Sequence, residues 1–183
     1  MVQVRKASVE DAAAMAVVHT AAWKAAYRGE MPDAYLDGLD ATEATGRWRH
    51  ALAQRGEGQA TNLVLEDDAG TVVGIAGVGP ERLVEVTSGP GPRPSNEDSS
   101  VGELWMINLH PASWGKGLGR RLLESATQEL RAAGYREAVL WVLDTNARAR
   151  RLYGRAGWAA DGAETVDESR GFAIREVRYR RSL

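Results

Sequence analysis

The segment Trp114-Gly115-Lys116-Gly117-Leu118-Gly119-Arg120 is where residue type and spacing in this 183-residue chain most directly imply chemistry. Glycines let an anion approach the main chain. Where a strand turns into a helix, exposed N–H groups and the helix dipole both favour negative charge. Lys116, Arg120 and Arg121 add positive side chains, and residues 115–155 hold 9 Lys or Arg against 4 Asp or Glu. A ligand carrying several phosphate charges fits that excess. Two well-known phosphate loops fail on spacing: a Gly-x-Gly-x-x-Gly fingerprint would need glycine at Arg120 or Leu122, and a Walker loop would need Ser or Thr where Gly117 follows Lys116. Asn146 can act as a helix cap, a ligand contact or both.

The elements that must position these residues can be read from periodicity and punctuation. A short strand is expected over residues 2–5, followed by a helix opened by Ser8 and Asp11 in a capping arrangement and running to Val18. A second helical piece over 19–27 carries Trp23 and Tyr27 on one face, and further helices are expected over 33–39 and 41–54. Residues 62–66 and 71–78 flank a glycine-containing turn and read as a hairpin. Residues 79–100, with Gly89-Pro90-Gly91-Pro92-Arg93-Pro94 inside them, imply a long mobile loop, read as a flap on the substrate side or, alternatively, as an inert insertion. A central strand over 101–109 enters the glycine turn, and a helix over 118–133 buries Leu118, Leu122, Leu123, Ala126 and Leu130. A strand over 137–143, a helix from Asn146 to Ala156 and a closing hairpin over 158–166 and 172–181 complete the chain.

The length suits one domain, and 44% hydrophobic with 26% charged residues is a globular balance. With no cysteine, disulfide scaffolds, thiolate zinc sites and thiol nucleophiles are excluded, and a reducing compartment is expected. Neither a signal-peptide pattern nor an apolar run of about 18 residues is present, so the expected setting is soluble and cytoplasmic. The net charge of −2 divides unevenly: residues 1–110 carry 9 basic and 16 acidic side chains, or −7, and residues 111–183 carry 14 and 9, or +5. This asymmetry suits a polyanionic ligand on one half and a cationic one on the other, the alternative being a solvated surface.

The central strand, the Trp-Gly-Lys-Gly-Leu-Gly turn, and then Asn146, Ala149, Leu152, Tyr153, Gly157 and Trp158 together resemble the GNAT superfamily of acetyl-CoA-dependent N-acetyltransferases. The turn is similar to that family's Gln/Arg-x-x-Gly-x-Gly/Ala motif, with Trp114 in place of the usual Gln or Arg. The resemblance implies a single α/β (α+β) domain over 1–183: a mixed, mostly antiparallel central sheet flanked by helices, with splayed central strands forming the coenzyme A cleft. It places the pyrophosphate on the amides of Gly115, Lys116, Gly117, Leu118, Gly119 and Arg120, and the pantetheine arm along the backbone of Ile107, Asn108 and Leu109.

The implied reaction is transfer of an acetyl group to an amine by direct attack in a ternary complex. It needs a neutral amine, a polarised carbonyl and a proton for the departing thiolate. The resemblance makes Tyr153 the proton donor to sulfur, with packing beside Leu152 and Ala156 as its other reading. An alkylammonium titrates near 10, so a group must accept its proton directly or through water. Glu103 is the candidate, against a merely solvent-facing glutamate, and His110 is a second candidate at the strand exit. Trp23, Tyr27 and Trp105 are read as an aromatic wall for the acceptor or, alternatively, as core. Acetyl-CoA is the expected cosubstrate and no metal is expected. The expected partner is a primary amine of a small molecule or protein, with neither nucleic acid nor membrane; a homodimer is compatible with this reading. A catalytically silent acyl-CoA-binding regulator and a structural interaction module are the alternatives.

Overall fold

The computed structural model describes residues 1–53, 60–90 and 100–183. Seven strands, β1 (Gln3–Lys6), β2 (Thr61–Glu66), β3 (Val72–Pro80), β4 (Val101–Leu109), β5 (Glu137–Leu143), β6 (Ala159–Asp167) and β7 (Ile174–Ser182), form one sheet in the order β1-β2-β3-β4-β5-β7-β6. The helices are α1 (Ala12–Ala26), α2 (Asp33–Asp37), α3 (Ala41–Ala53), α4 (Leu118–Ala132) and α5 (Ala147–Arg155). The sheet is mixed. β4 and β5 run parallel because α4 carries the chain back between them, whereas β1/β2, β5/β7 and β6/β7 are antiparallel. Residues expected as two helical pieces over 8–27 form a single α1, since no Gly or Pro interrupts them after the short 3-10 turn at Val9–Asp11. Gln54, the expected last residue of the α3 segment, lies outside the described residues.

The chain divides into two compact units, Met1–Gly77 with Met106–Ala126, and Val78–Trp105 with Thr127–Leu183. The first has an apolar centre in which Ala12, Met15 and Val18 of α1 meet Leu52 of α3, Val64 of β2 and Ile75 of β3. Its entry is fastened by Arg5, whose two terminal nitrogens donate to Asp11 at 2.7 Å each while it also bonds Glu66. The Asp11 carboxylate in turn accepts from the Ser8 amide at 2.7 Å, completing the expected capping arrangement. Hydrogen bonds from Arg5, above all, hold the Asp11 carboxyl down at about 2.

Buried ions organise the second unit. Arg178 of β7 is fully buried, its Nε donating to Asp161, Nη1 to Glu81 and Nη2 to the Pro90 carbonyl. Its guanidinium also lies 5.5 Å from the centre of the Trp141 ring, the residue opposite it on β5. Residues 81–90 are therefore not the free flap expected of the 79–100 loop. They run beside β6, with Thr87 N donating to Glu164 O at 2.8 Å, Glu164 N to Ser88 O at 2.9 Å and the Thr165 hydroxyl to Glu85 O at 2.6 Å. Gly89 permits the close approach: it has φ of 80°, and a Cβ there would collide with the Gly162 carbonyl. The rest of that expected loop, residues 91–99, lies outside the described residues.

Candidate functional site

In the first unit, β4 delivers the chain to the glycine turn through a tightly bonded corner. The His110 amide donates to Val73 O at 2.8 Å, and its ring Nδ1 accepts from the Ala112 amide at 3.4 Å, so His110 caps the 3-10 turn Pro111–Ser113. Trp114 donates its indole N–H to the Leu109 carbonyl at 2.9 Å, tying the turn to the end of β4. A tryptophan here thus has a structural use in place of the usual Gln or Arg. Gly115 and Gly117 then adopt φ of 75° and 78°, and a Cβ built at either would meet nothing within 4 Å. The left-handed backbone, rather than crowding, explains glycine at both positions.

Gly115, Lys116, Gly117 and Arg120 are exposed, and α4 begins at Leu118 with amides of its first turn unpaired by the helix itself. Arg120 makes an i,i+4 pair with Glu124 at 2.7 Å. Behind the turn Leu122, Leu123 and Ala126 are buried as expected, while Leu118 is half-buried. Ile107, Asn108 and Leu109, the expected pantetheine stretch, are likewise half-buried, whereas Val101–Leu104 earlier in β4 are buried. These residues present backbone donors, left-handed glycines and lysine charge to solvent, a set that fits the diphosphate of coenzyme A. Trp23 and Tyr27 of α1 pack edge to face with ring centres 5.2 Å apart, and His19 lies 5.0 Å from Trp23.

In the second unit, Asn146 caps α5 by accepting from the Ala149 amide at 3.1 Å. One and two turns on, Arg150 reaches back to the Asp144 carbonyl at 2.6 Å and to the Tyr179 hydroxyl at 3.2 Å, and Tyr153 packs 6.1 Å from the Tyr179 ring. Ala147, Arg150, Arg151 and Tyr179 line a shallow, solvent-open depression there. Gly157, at φ of 82°, ends the helix, and the Trp158 amide bonds back to Tyr153 O at 3.0 Å.

Glu103 is not solvent-facing: it is fully buried, and both its oxygens are engaged by Arg82. Oε2 accepts from the Arg82 amide at 2.7 Å, and Oε1 accepts from Nε at 2.9 Å and from Nη2. Arg82 extends over the Trp105 ring, 6.0 Å from its centre, and the Trp105 indole donates to Pro80 O at 3.0 Å. The structure therefore brings Trp23 and Tyr27 together and gives Trp105 partners of its own.

Sequence reading missed Arg82, Glu81, Asp161 and Arg178, because an arginine in a strand such as Arg175–Arg181 looks solvated unless its distant partners are known. It also missed Glu176 of β7, whose carboxyl is pushed above the ordinary glutamate range, first by burial and then by the charge of Asp167. No single-residue signal could have found it.

A family model described as Acetyltransferase (GNAT) family matches residues 20–158. The uncharacterized N-acetyltransferase YuaI of Bacillus subtilis (strain 168) is 30% identical over 146 residues, covering 80% of this chain and 74% of that protein. A mycothiol acetyltransferase of Beutenbergia cavernae is 41% identical over 61 residues, which is 33% of this chain but 20% of the relative; the match to that of Propionibacterium freudenreichii is 32% over 111 residues, 61% and 31%. This chain thus spans a fifth to a third of those two relatives. Among solved structures, the PaiA N-acetyltransferase of Thermoplasma acidophilum in complex with coenzyme A has a TM-score of 0.71 at 18% identity, covering 100% and 99% of the two chains. The acetyltransferase yncA of Salmonella typhimurium, solved with acetyl-CoA, has a TM-score of 0.70 at 24% identity over 100% and 94%. At those identities the likeness carries the fold.

Proposed function

The chain belongs to the GNAT family of acetyltransferases, and from that premise we propose that it transfers the acetyl group of acetyl-CoA to a primary amine of a small molecule or protein by direct attack. The observation that carries this reading is the exposed turn Gly115–Arg120, with two left-handed glycines leading into α4. Its amides and the Lys116 ammonium are assigned to the pyrophosphate, and the backbone of Ile107–Leu109 to the pantetheine arm. The bound cosubstrate supplies an activated acetyl thioester. Asn146 keeps its capping bond and is assigned a cofactor contact through the rest of its side chain.

On the chain's side of the chemistry, Tyr153 is assigned to protonate the leaving sulfur. Its ring is buried against Tyr179, so its orientation is set by packing before any ligand arrives. Of the two proton acceptors considered from sequence, Glu103 has both carboxylate oxygens engaged by Arg82, and His110 has its Nδ1 on the Ala112 amide. Glu103 is accordingly assigned to hold Arg82 in place over Trp105. Trp23, Tyr27 and Trp105 are assigned to the acceptor, and the absence of cysteine favours attack without a thiol acyl-enzyme.

Thiol release from acetyl-CoA, followed across a panel of polyamines, amino acids, peptide N-termini and the acceptor of the mycothiol acetyltransferases, tests the proposal. Acceleration by at least one amine is expected. Tight acetyl-CoA binding with no acceleration by any amine would support a silent acyl-CoA-binding regulator instead.

A further inference from the structure

Burying a carboxylate is costly unless hydrogen bonds offset its lost hydration, and an arginine that reaches solvent gains little from an ion pair. The second unit nevertheless sets a fully buried glutamate beneath an exposed arginine: the Glu103 side chain is 0% accessible and that of Arg82 53%. Oε2 of Glu103 accepts from the Arg82 main-chain amide, and Oε1 from Nε and Nη2. One carboxylate thus fixes both the backbone and the side chain of Arg82. The guanidinium carbon stands 6.0 Å from the centre of the Trp105 ring, and Trp105 is itself held by its indole bond to Pro80 O.

A guanidinium carries five N–H donors in a flat fork. Glu103 holds the inner edge, Nε with one N–H of Nη2. The outer edge, Nη1 with the second N–H of Nη2, is a two-pronged donor, and the exposure of the side chain leaves it within reach of a ligand. Since the Arg82–Glu103 pair has no net charge, it offers hydrogen-bond direction rather than a strong field. That favours a planar, singly charged carboxylate over a phosphate. The fork is already immobilised, so little side-chain freedom is lost on binding, and the Trp105 ring adds an apolar contact beside it. Strand order gives the location. The pantetheine arm, assigned to β4 from Leu109 back to Ile107, leads away from the glycine turn, and Trp105 is two residues further along the same strand, roughly 7 Å. The acetyl end of the cosubstrate is thereby assigned to the neighbourhood of Trp105.

We infer that Arg82 binds a carboxylate of the acceptor, so that the amine acetylated is that of a free amino acid; this narrows the N-acetyltransferase reading and rests on it. An amino acid carries its amine two bonds from its carboxylate carbon. Holding the carboxylate on a fixed fork therefore also fixes where the amine stands, which is the positioning that direct attack needs. Glu103 is a positioning residue in this arrangement, acting only through Arg82. A polyamine or a decarboxylated amine would leave the fork in water and gain nothing from it.

Three measurements on the full chain test this. Thiol release from acetyl-CoA is compared for the best amino acid of the panel, its carboxamide and its decarboxylated amine. The wild-type kcat/KM should be at least about tenfold higher on the amino acid than on the other two, with the difference mainly in KM, as a hydrogen bond to a charged group implies. An equal or higher value on the decarboxylated amine overturns the inference while leaving the transferase reading intact. Because Arg82→Gln alone leaves Glu103 buried without its partner, it is also made together with Glu103→Gln. In both variants the loss of kcat/KM should be about tenfold larger on the amino acid than on the decarboxylated amine, a ratio in which amine basicity and general damage to the fold cancel. Equal losses overturn the inference. Calorimetry on the wild-type chain with coenzyme A present should show the N-acetyl amino acid binding about tenfold more tightly than the N-acetyl derivative of the decarboxylated amine, and equal affinity overturns the inference without reference to turnover. Failure of the wild-type chain to release thiol with any amine overturns the transferase reading and this role with it.

Discussion

The two compact units solve different problems with different materials. The first is held by an apolar cluster around Met15, Val64 and Ile75, and its candidate site is made of main chain, at the turn Gly115–Arg120. The second is organised around buried ions at Arg178 and Glu103, and its candidate site is made of side chains, Asn146 and Tyr153. A glycine turn depends on φ angles and tolerates neighbours of many kinds, as Trp114 at an unusual position illustrates. A site that moves protons depends on which carboxylates are paired and which are not, so its neighbours are far less exchangeable.

The sharpest way to break this contrast is to remove the central ion of the second unit. Arg178→Leu leaves Glu81 without that arginine and deprives Asp161 of one of its two, and should destabilise the fold by about 4 kcal/mol in urea unfolding. A loss below about 1 kcal/mol would mean the ions are dispensable there. In the first unit the comparable ionic change should cost less. Asp11→Asn should remove about 2 kcal/mol at neutral pH, from the depression of its carboxyl from 3.8 to about 2 by Arg5. Because the folded value is the lower one, this stability is fully present above 3.8 and is lost as pH falls from there towards about 2; unfolding curves of wild type and Asp11→Asn should converge over that window.

Two smaller effects probe the turn. Gly117→Ala places a Cβ in left-handed backbone at a cost of about 1–2 kcal/mol, and calorimetry should show coenzyme A binding weakened more than the midpoint of unfolding would suggest. Replacing Lys116 and Arg120 together by alanine should raise the coenzyme A Kd only about fivefold, since both side chains are exposed and Arg120 already has Glu124. An unchanged Kd in both variants would move the anion site away from this turn.

The elements themselves were legible because their signals are local. Helical spacing, the Asp67–Gly70 turn, Asn146 at the start of α5 and glycines at 134 and 157 each act within a few residues, and, apart from the two pieces expected over 8–27 that form one α1, the observed boundaries fall within about two residues of those expected. The glycine turn was legible for the same reason. The strand order was not, since placing β7 between β5 and β6 depends on pairing of residues far apart in the chain. The charge pattern misled in an instructive way: split at residue 110 the chain is −7 and +5, yet the first unit holds 10 basic and 12 acidic residues and the second 13 and 13. Folding returns the basic turn to the unit built mostly from the acidic half, so the sequence dipole does not persist in the units.

Sequence alone therefore determined what short-range physics determines: which segments are strands and helices, where glycines turn the main chain between β4 and α4, and that no cysteine is available for chemistry. Only the tertiary structure decided which ionisable groups are neutralised. Arg178 meets Asp161, Glu81 and Pro90 across separations of 17, 97 and 88 residues, and Glu103 meets Arg82 across 21. Whether a carboxylate is a structural anion or a proton acceptor depends on desolvation and on the nearest opposite charge, and both are set by which distant strands become neighbours.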